Sequence, residues 1–310
     1  VKAQRDVWGQ TLVDLARSDS RVALVDGDLA TSTKADLFAE AFPERFFEIG
    51  IAEQNMVGVA FGLSTLGYRP WLSTFGVFLT HRALDPIRML VSQTGAPVKI
   101  AASYAGLLNG SSGKTHQDIE DLAIMRAMPG MTVIAPADAE EAEAAIRWSA
   151  DYDGPVYIRL ARDAVADVFD SDHVFVPGTV HVLREGGDAI LVSTGVQTSR
   201  VMDSAELLTE QGLEVRVVHV PCLKPVDEAA LLSALSGPAP IFTIEEHSVI
   251  GGLGGLVSEL VTSTTLGKTV TRLGLADSWS ESAPNAYLLD KYGLSAQRVA
   301  EQVRHALADD

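Results

Sequence analysis

Apolar and polar positions along this chain follow two interleaved rhythms. Short apolar runs of strand length occur at 22–25 (VALV), 97–102 (PVKIAA), 132–135 (TVIA), 155–160 (PVYIRL), 189–193 (AILVS), 214–220 (EVRVVHV), 241–245 (IFTIE) and 270–274. Between them lie segments with apolar residues at helical spacing: 6–17, from Ala52 onward, about 77–92, 118–127, 138–150, 198–211, 227–235 and 295–308. Apolar strands taking turns with amphipathic helices predict a largely parallel sheet covered on both faces. The rhythm breaks over 163–187, where Asp170-Ser171-Asp172, Pro177-Gly178 and Glu185-Gly186-Gly187-Asp188 read as turns and connection. The expected fold class is therefore α/β, with two doubly wound, mostly parallel-sheet domains: one over 1–165, a linker at 166–187 and a smaller unit over 188–310.

Several stretches carry more than this rhythm. Residues 46–49 read as a buried strand that Gly50 breaks, and the helix that follows starts with Glu53 in apolar surroundings. A carboxylate where a strand end meets a helix start is either a partner for the helix dipole or an acid–base group. Asp26-Gly27-Asp28, at the end of a strand, is either a site wall or turn chemistry ahead of a helix cap. Phe75, Phe78 and His81 stand three apart, which on a helix would put them on one face. Residues 103–118 (SYAGLLNGSSGKTHQD) are rich in Gly and Ser and read as the least structured part of the first half. Gly113-Lys114-Thr115 resembles the end of a phosphate-binding loop, but the earlier glycine is missing at the required spacing. The glycines at 251–255 miss the dinucleotide spacing, since residue 257 is Val, and close helix–sheet packing explains them better.

Charge and composition narrow the choices. Among 310 residues, 41 acidic against 24 basic give a net charge of −17, which disfavours a nucleic-acid partner while leaving local arginine sites for small anions. The single cysteine, Cys222, rules out an intrachain disulfide, and the first ten residues carry no apolar signal segment, so a cytoplasmic location is expected. No apolar run reaches the roughly 18 residues of a membrane span.

Six segments in series, GIAEQNMVGVAFG (50–62), STFGVF (73–78), GKTHQDIEDLAIMRAMPGMTVIAPAD (113–138), VYIRLAR (156–162), CLKPVD (222–227) and EEHSVIGGLGG (245–255), give the chain a family likeness. It resembles the C-terminal half of a transketolase, a pyrimidine-binding domain followed by the small C-terminal domain. The resemblance implies thiamine diphosphate as cofactor, with its pyrimidine end bound here. Glu53 would hydrogen-bond the aminopyrimidine nitrogen, Phe75, Phe78 and His81 would pack around the ring, and Asp28 would line the same cavity. His116 would contact the donor and assist proton transfers. Arg5, Ser32 and Arg162 match positions that hold the substrate phosphate. Tyr104 stands where the family has a histidine, Ser112 where it has an aspartate and His81 where it has a tyrosine, so specificity is expected to have moved to the 103–118 loop.

The Gly-Asp-Gly motif and Asn pair that hold the diphosphate and its metal in the family are absent from these residues. The resemblance thus implies a split transketolase in which a second, N-terminal diphosphate-binding subunit carries Mg2+ or Ca2+, assembled as a heterotetramer with sites at subunit interfaces. The implied reaction moves a two-carbon ketol unit from a ketose phosphate to an aldose. The alternatives are the beta subunit of a 2-oxoacid dehydrogenase, a deoxyxylulose-phosphate-synthase-like enzyme, and a non-catalytic partner subunit that kept the fold.

Overall fold

The computed structural model describes residues 1–308. The first half runs α1 (Gln4–Ser18), β1 (Val22–Asp26), α2 (Ala30–Thr33), α3 (Asp36–Ala41), β2 (Phe46–Glu48), α4 (Glu53–Thr65), β3 (Arg69–Phe75), α5 (Leu84–Pro86), β4 (Lys99–Ser103), α6 (Asp121–Ala127), β5 (Thr132–Ile134), α7 (Ala139–Asp151) and β6 (Val156–Leu160). The second half runs β7 (His181–Arg184), β8 (Ala189–Ser193), α8 (Gln197–Thr209), β9 (Val215–His219), β10 (Cys222–Lys224), α9 (Glu228–Ala234), β11 (Ile241–Ser248), α10 (Leu253–Thr262), β12 (Val270–Leu275), α11 (Asn285–Lys291) and α12 (Ala296–Ala308).

Two sheets result. The first has the order β10-β5-β6-β4-β3-β1-β2 and the second β12-β11-β8-β9-β7. Pairing is parallel throughout except at one edge of each, where β10 runs against β5 and β7 against β9. Every residue of β1, β4, β6 and β8 is buried, as a strand covered on both faces requires. The two sheets share one apolar core, in which Val133 and Ala135 of the first half meet Val192, Val218 and Leu223 of the second.

Four sequence expectations change. The buried strand at 46–49 is an edge strand, with Phe46 and Phe47 half-buried and Glu48 exposed, because nothing pairs its outer side. The single helix over 77–92 is broken into π-helical turns at Phe78–Arg82 and Ile87–Ser92 around α5. Pro86 lies at that break, where it can donate no amide to a regular ladder. Phe75 is the last residue of β3, so it shares no helical face with Phe78 and His81. The 103–118 segment is well packed: Leu107 and Leu108 are 0% and 5% exposed, and their amides bond to the Glu246 carboxylate from β11. Partners from the second half supply what local sequence could not reveal. The glycines ahead of α10 serve packing: a Cβ on Gly252 would collide with the Glu245 carboxylate, which accepts from the Leu253 and Gly254 amides at 2.7 and 2.8 Å. Strands β3, β7 and β10 are additions that the apolar pattern did not reveal.

Candidate active site

The parallel strands of the first sheet end on one side, where the chain turns toward its next element, and chemistry-bearing residues collect there. Glu53 is the first residue of α4 and is 4% exposed. Its Oε1 accepts a hydrogen bond of 2.8 Å from Arg82 Nη1. The Arg82 guanidinium also lies over the Phe78 ring, 4.0 Å from its centroid. Arg82 is thus a polar clamp on the buried carboxylate. An arginine in a helical stretch reads as a solvated residue, so no local pattern marks this role.

Phe78 begins a continuous aromatic row. Its ring stacks with Phe75 at 5.8 Å, and Phe75 stacks with Tyr104 at 4.0 Å and 20°. His116 meets Phe75 and Phe78 edge-on at 6.0 and 5.4 Å, with its Nδ1 2.8 Å from the Thr115 hydroxyl. At the far end the Tyr104 hydroxyl accepts from Arg5 Nη1 at 2.6 Å and donates to the Ser32 carbonyl at 3.1 Å. Arg5 and Arg162 lie 5.6 and 5.7 Å from the Tyr104 ring centroid. The row runs from two guanidinium groups at one end to the buried Glu53 at the other. Tyr104 has φ +64°, a left-handed backbone that costs a tyrosine about 1–3 kcal/mol.

Other expected residues sit apart from the row. Asp28, at φ +64°, is exposed beyond the end of β1, and its amide donates to Glu48 Oε1 at 2.9 Å. The Ser112 hydroxyl donates to Asn109 Oδ1 at 2.8 Å. His81 faces Glu120 at 3.7 Å and lines, with Val77, Phe78, Arg82 and Trp279, an open cleft of about 290 Å3. Trp279 comes from the second half and had no motif to mark it.

Two further carboxylates of the first half, Asp26 and Asp118, are buried. Asp26, whose Oδ2 has no partner, is pushed up to about 7 by burial, with the Leu29 amide pulling the other way and Glu48 adding to the rise. Burial also holds Asp118 well above the usual carboxylate range, with Asp121 adding to the effect. Asp118 Oδ2 accepts from the Thr80 hydroxyl at 2.7 Å. His81, Asp118 and Glu120 bring three donor atoms within 4.8 Å of one another, but Asp118 Oδ2 is already engaged by the Thr80 hydroxyl and burial disfavours its charged form, so the trio is a poor cation site. The apolar faces of Phe75 and Phe78, with a buried carboxyl nearby, suit a flat heteroaromatic ring that can share a proton with Glu53.

Residues 2–167 match the family described as transketolase, pyrimidine binding domain, and residues 178–299 match transketolase, C-terminal domain. A relative from Methanocaldococcus jannaschii, named as a "transketolase C-terminal section", is 38% identical over 304 residues, spanning 97% of this chain and 95% of its own length. A 6-deoxy-6-sulfo-D-fructose transketolase subunit from a Clostridium species is 35% identical, spanning 95% of this chain and 91% of its own. A split-gene transketolase, solved as an inactive beta4 tetramer, superposes with a TM-score of 0.88 at 43% identity, covering 99% of this chain and 98% of that one. The 1-deoxy-D-xylulose-5-phosphate synthase of Desulforudis audaxviator is 35% identical over 95% of this chain, which spans 46% of that enzyme. Among the described residues, no helix is long and apolar enough to cross a membrane.

Proposed function

The chain belongs to the transketolase family, and on that premise we propose that it is the C-terminal subunit of a split transketolase, moving a two-carbon ketol unit from a ketose phosphate to an aldose. The proposal assigns 1–165 to the pyrimidine-binding domain and 188–310 to the C-terminal domain. The observation that carries it is the row from Arg5 and Arg162 through Tyr104, Phe75 and Phe78 to Glu53, which joins an anion reader to a buried proton-sharing carboxyl.

In this reading Glu53 holds the pyrimidine nitrogen of thiamine diphosphate, and Phe75 and Phe78 carry the ring, with His81 and Asp28 at its margins. When bound, the cofactor supplies the carbon centre that accepts the two-carbon unit between donor and acceptor. Arg82 holds Glu53 Oε1, which leaves the other carboxylate oxygen, Oε2, to meet the ring nitrogen. His116, with Nδ1 occupied by the Thr115 hydroxyl, offers its other nitrogen to hold or move a proton at the donor's oxygen. Arg5 and Arg162 bind phosphate oxygens with the Ser32 hydroxyl beside them. Tyr104 braces Arg5, and Ser112 meets the sugar only if the 110–113 turn moves toward it.

The diphosphate end and its Mg2+ or Ca2+ fall to an N-terminal partner subunit, in a heterotetramer. Support comes from the end-to-end match with a split-gene chain that was inactive as a tetramer of its own kind. The test is reconstitution. The chain alone, given cofactor and Mg2+, should transfer no ketol units, and adding the diphosphate-binding subunit should restore transfer. Full activity of the chain alone would overturn the two-subunit reading. The likeness to 1-deoxy-D-xylulose-5-phosphate synthase favours a second reading, in which pyruvate is the donor. Assembled enzyme offered pyruvate against a ketose phosphate separates the two.

A further inference from the structure

Away from the cleft, three of the seven histidines gather around one glutamate at the seam between the sheets. Glu141, on α7, is wholly buried. Its Oε2 accepts from the Ala137 amide at 2.7 Å and lies 2.8 Å from His219 Nε2. His219 ends β9, is itself buried, and bonds through Nδ1 to the Thr198 hydroxyl at 2.8 Å. His181 faces His219 across the β7–β9 pair. His173 comes from the segment between β6 and β7, its side chain 9% exposed and its ring packed on Phe169 at 4.0 Å.

Two atoms of this cluster are left over. Glu141 Oε1 and His173 Nε2 are buried and have no hydrogen-bond partner. They face each other at 3.6 Å, within ion-pair range should His173 be protonated but longer than a hydrogen bond. Buried polar atoms are ordinarily satisfied, so a facing pair of unsatisfied acceptor-capable atoms needs a reason. With His181 these residues form a trio, one donor atom from each lying within 4.8 Å of the other two. Adjacent ligands of a tetrahedral zinc ion with bonds of about 2.1 Å stand about 3.4 Å apart, near the observed 3.6 Å.

From this geometry we propose that Glu141, His173 and His181 form a binding site for a single zinc ion, distinct from any ion of the cofactor site. Two imidazoles and one carboxylate select zinc over Mg2+ and Ca2+, which prefer all-oxygen shells. His219 holds the other carboxylate oxygen and so aims Oε1 at the ion. His181 is only partly buried, leaving a fourth position open to water on its side. The ion joins α7, the connecting segment and an edge strand of the second sheet, so its role is to staple the two halves. The site is independent of the catalytic reading above.

The test uses the whole chain, stripped with chelator and titrated with zinc sulfate. One ion should bind per chain, raising Tm by about 5 °C at a hundredfold excess over Kd. Cobalt(II) in place of zinc should give a tetrahedral visible spectrum. His173→Gln and His181→Gln should each weaken binding by more than about 100-fold, while Glu141, which also orders Ala137 and His219, is left intact. Absence of stoichiometric binding, or undiminished binding in the double histidine variant, overturns the proposal. Should the variants fail to fold, X-ray absorption on the zinc-loaded parent decides: two imidazole nitrogens in the first coordination sphere support it, and oxygen ligands alone refute it.

Discussion

Glu246→Ala should be among the most damaging single substitutions in the chain, and its cost can be worked from its contacts. Glu246 is 1% exposed. Its Oε1 accepts from the Leu107 and Leu108 amides, the latter at 3.1 Å, and its Oε2 pairs with Arg200 Nη2. Truncation leaves the Arg200 guanidinium, 12% exposed, without its counter-ion, a loss of about 3–5 kcal/mol for a buried pair broken on one side. The two amides lose their acceptor, at about 1–3 kcal/mol each if no water replaces it. The loop can relax and the new cavity can hydrate, so about 5 kcal/mol is the reasoned total. Glu246→Gln keeps one acceptor oxygen for the amides and loses only the charge, which should cost about 2 kcal/mol. Urea unfolding gives the stabilities, and hydrogen exchange at the Leu107 and Leu108 amides gives the local effect. In Glu246→Ala those amides should lose protection before the β4 and β6 amides do. A loss under about 1 kcal/mol with unchanged protection at Leu107 and Leu108 would refute the claim that this carboxylate pins the 103–118 segment to the second half.

Other consequences are as accessible. In the assembled enzyme, Glu53→Gln should lower the transfer rate by about 10²–10⁴-fold while circular dichroism stays native, and an unchanged rate would remove Glu53 from the proton-sharing role. Tyr104→Phe deletes the hydroxyl between Arg5 and the Ser32 carbonyl, and should raise KM for a phosphorylated donor several-fold with little change in kcat; the opposite split would argue against Tyr104 as a brace for the anion site. Asp26 ionises near 7 when folded and near 3.8 when unfolded, so the folded state holds the extra proton in between. Stability from this group is complete below about pH 4 and fades as pH rises through 7, by at most about 4 kcal/mol. Asp26→Asn should therefore flatten the stability–pH curve between 4 and 7, and an unaltered slope in urea titrations would show that Asp26 is not the group responsible.

The sequence exposed the parts of this molecule whose reasons are local. Strands such as β1, β4 and β8 are buried on both faces, so their residues are continuously apolar and stand out. The cap of α7 has an equally local reason, Asp138 accepting from the Glu141 amide at 2.8 Å. Elements with distant reasons stayed hidden. The CLK of β10 has neither length nor alternation, and only its partner β5 makes it a strand. The Gly/Ser-rich 103–118 stretch is ordered by Glu246 and by Asn285, whose Oδ1 accepts from the Gly110 amide at 2.8 Å; both lie far along the chain. In the cleft, family likeness singled out the aromatic residues and Glu53, whereas Arg82 and Trp279 emerge only from three-dimensional proximity.

The antiparallel pairing of β10 with β5 bears on how the protein is made. When a ribosome has delivered residues 1–165, the first sheet has every strand but one, and the outer edge of β5 is bare. That edge waits until Cys222–Lys224 emerges, after β7, β8 and β9 have been synthesised. An uncovered edge is a template for pairing with other nascent chains. The first half therefore has no finished form of its own during synthesis, and a truncation after β6 should yield aggregate rather than a separable domain. Folding of the two halves is concluded together, by a three-residue strand borrowed from the second to close the first.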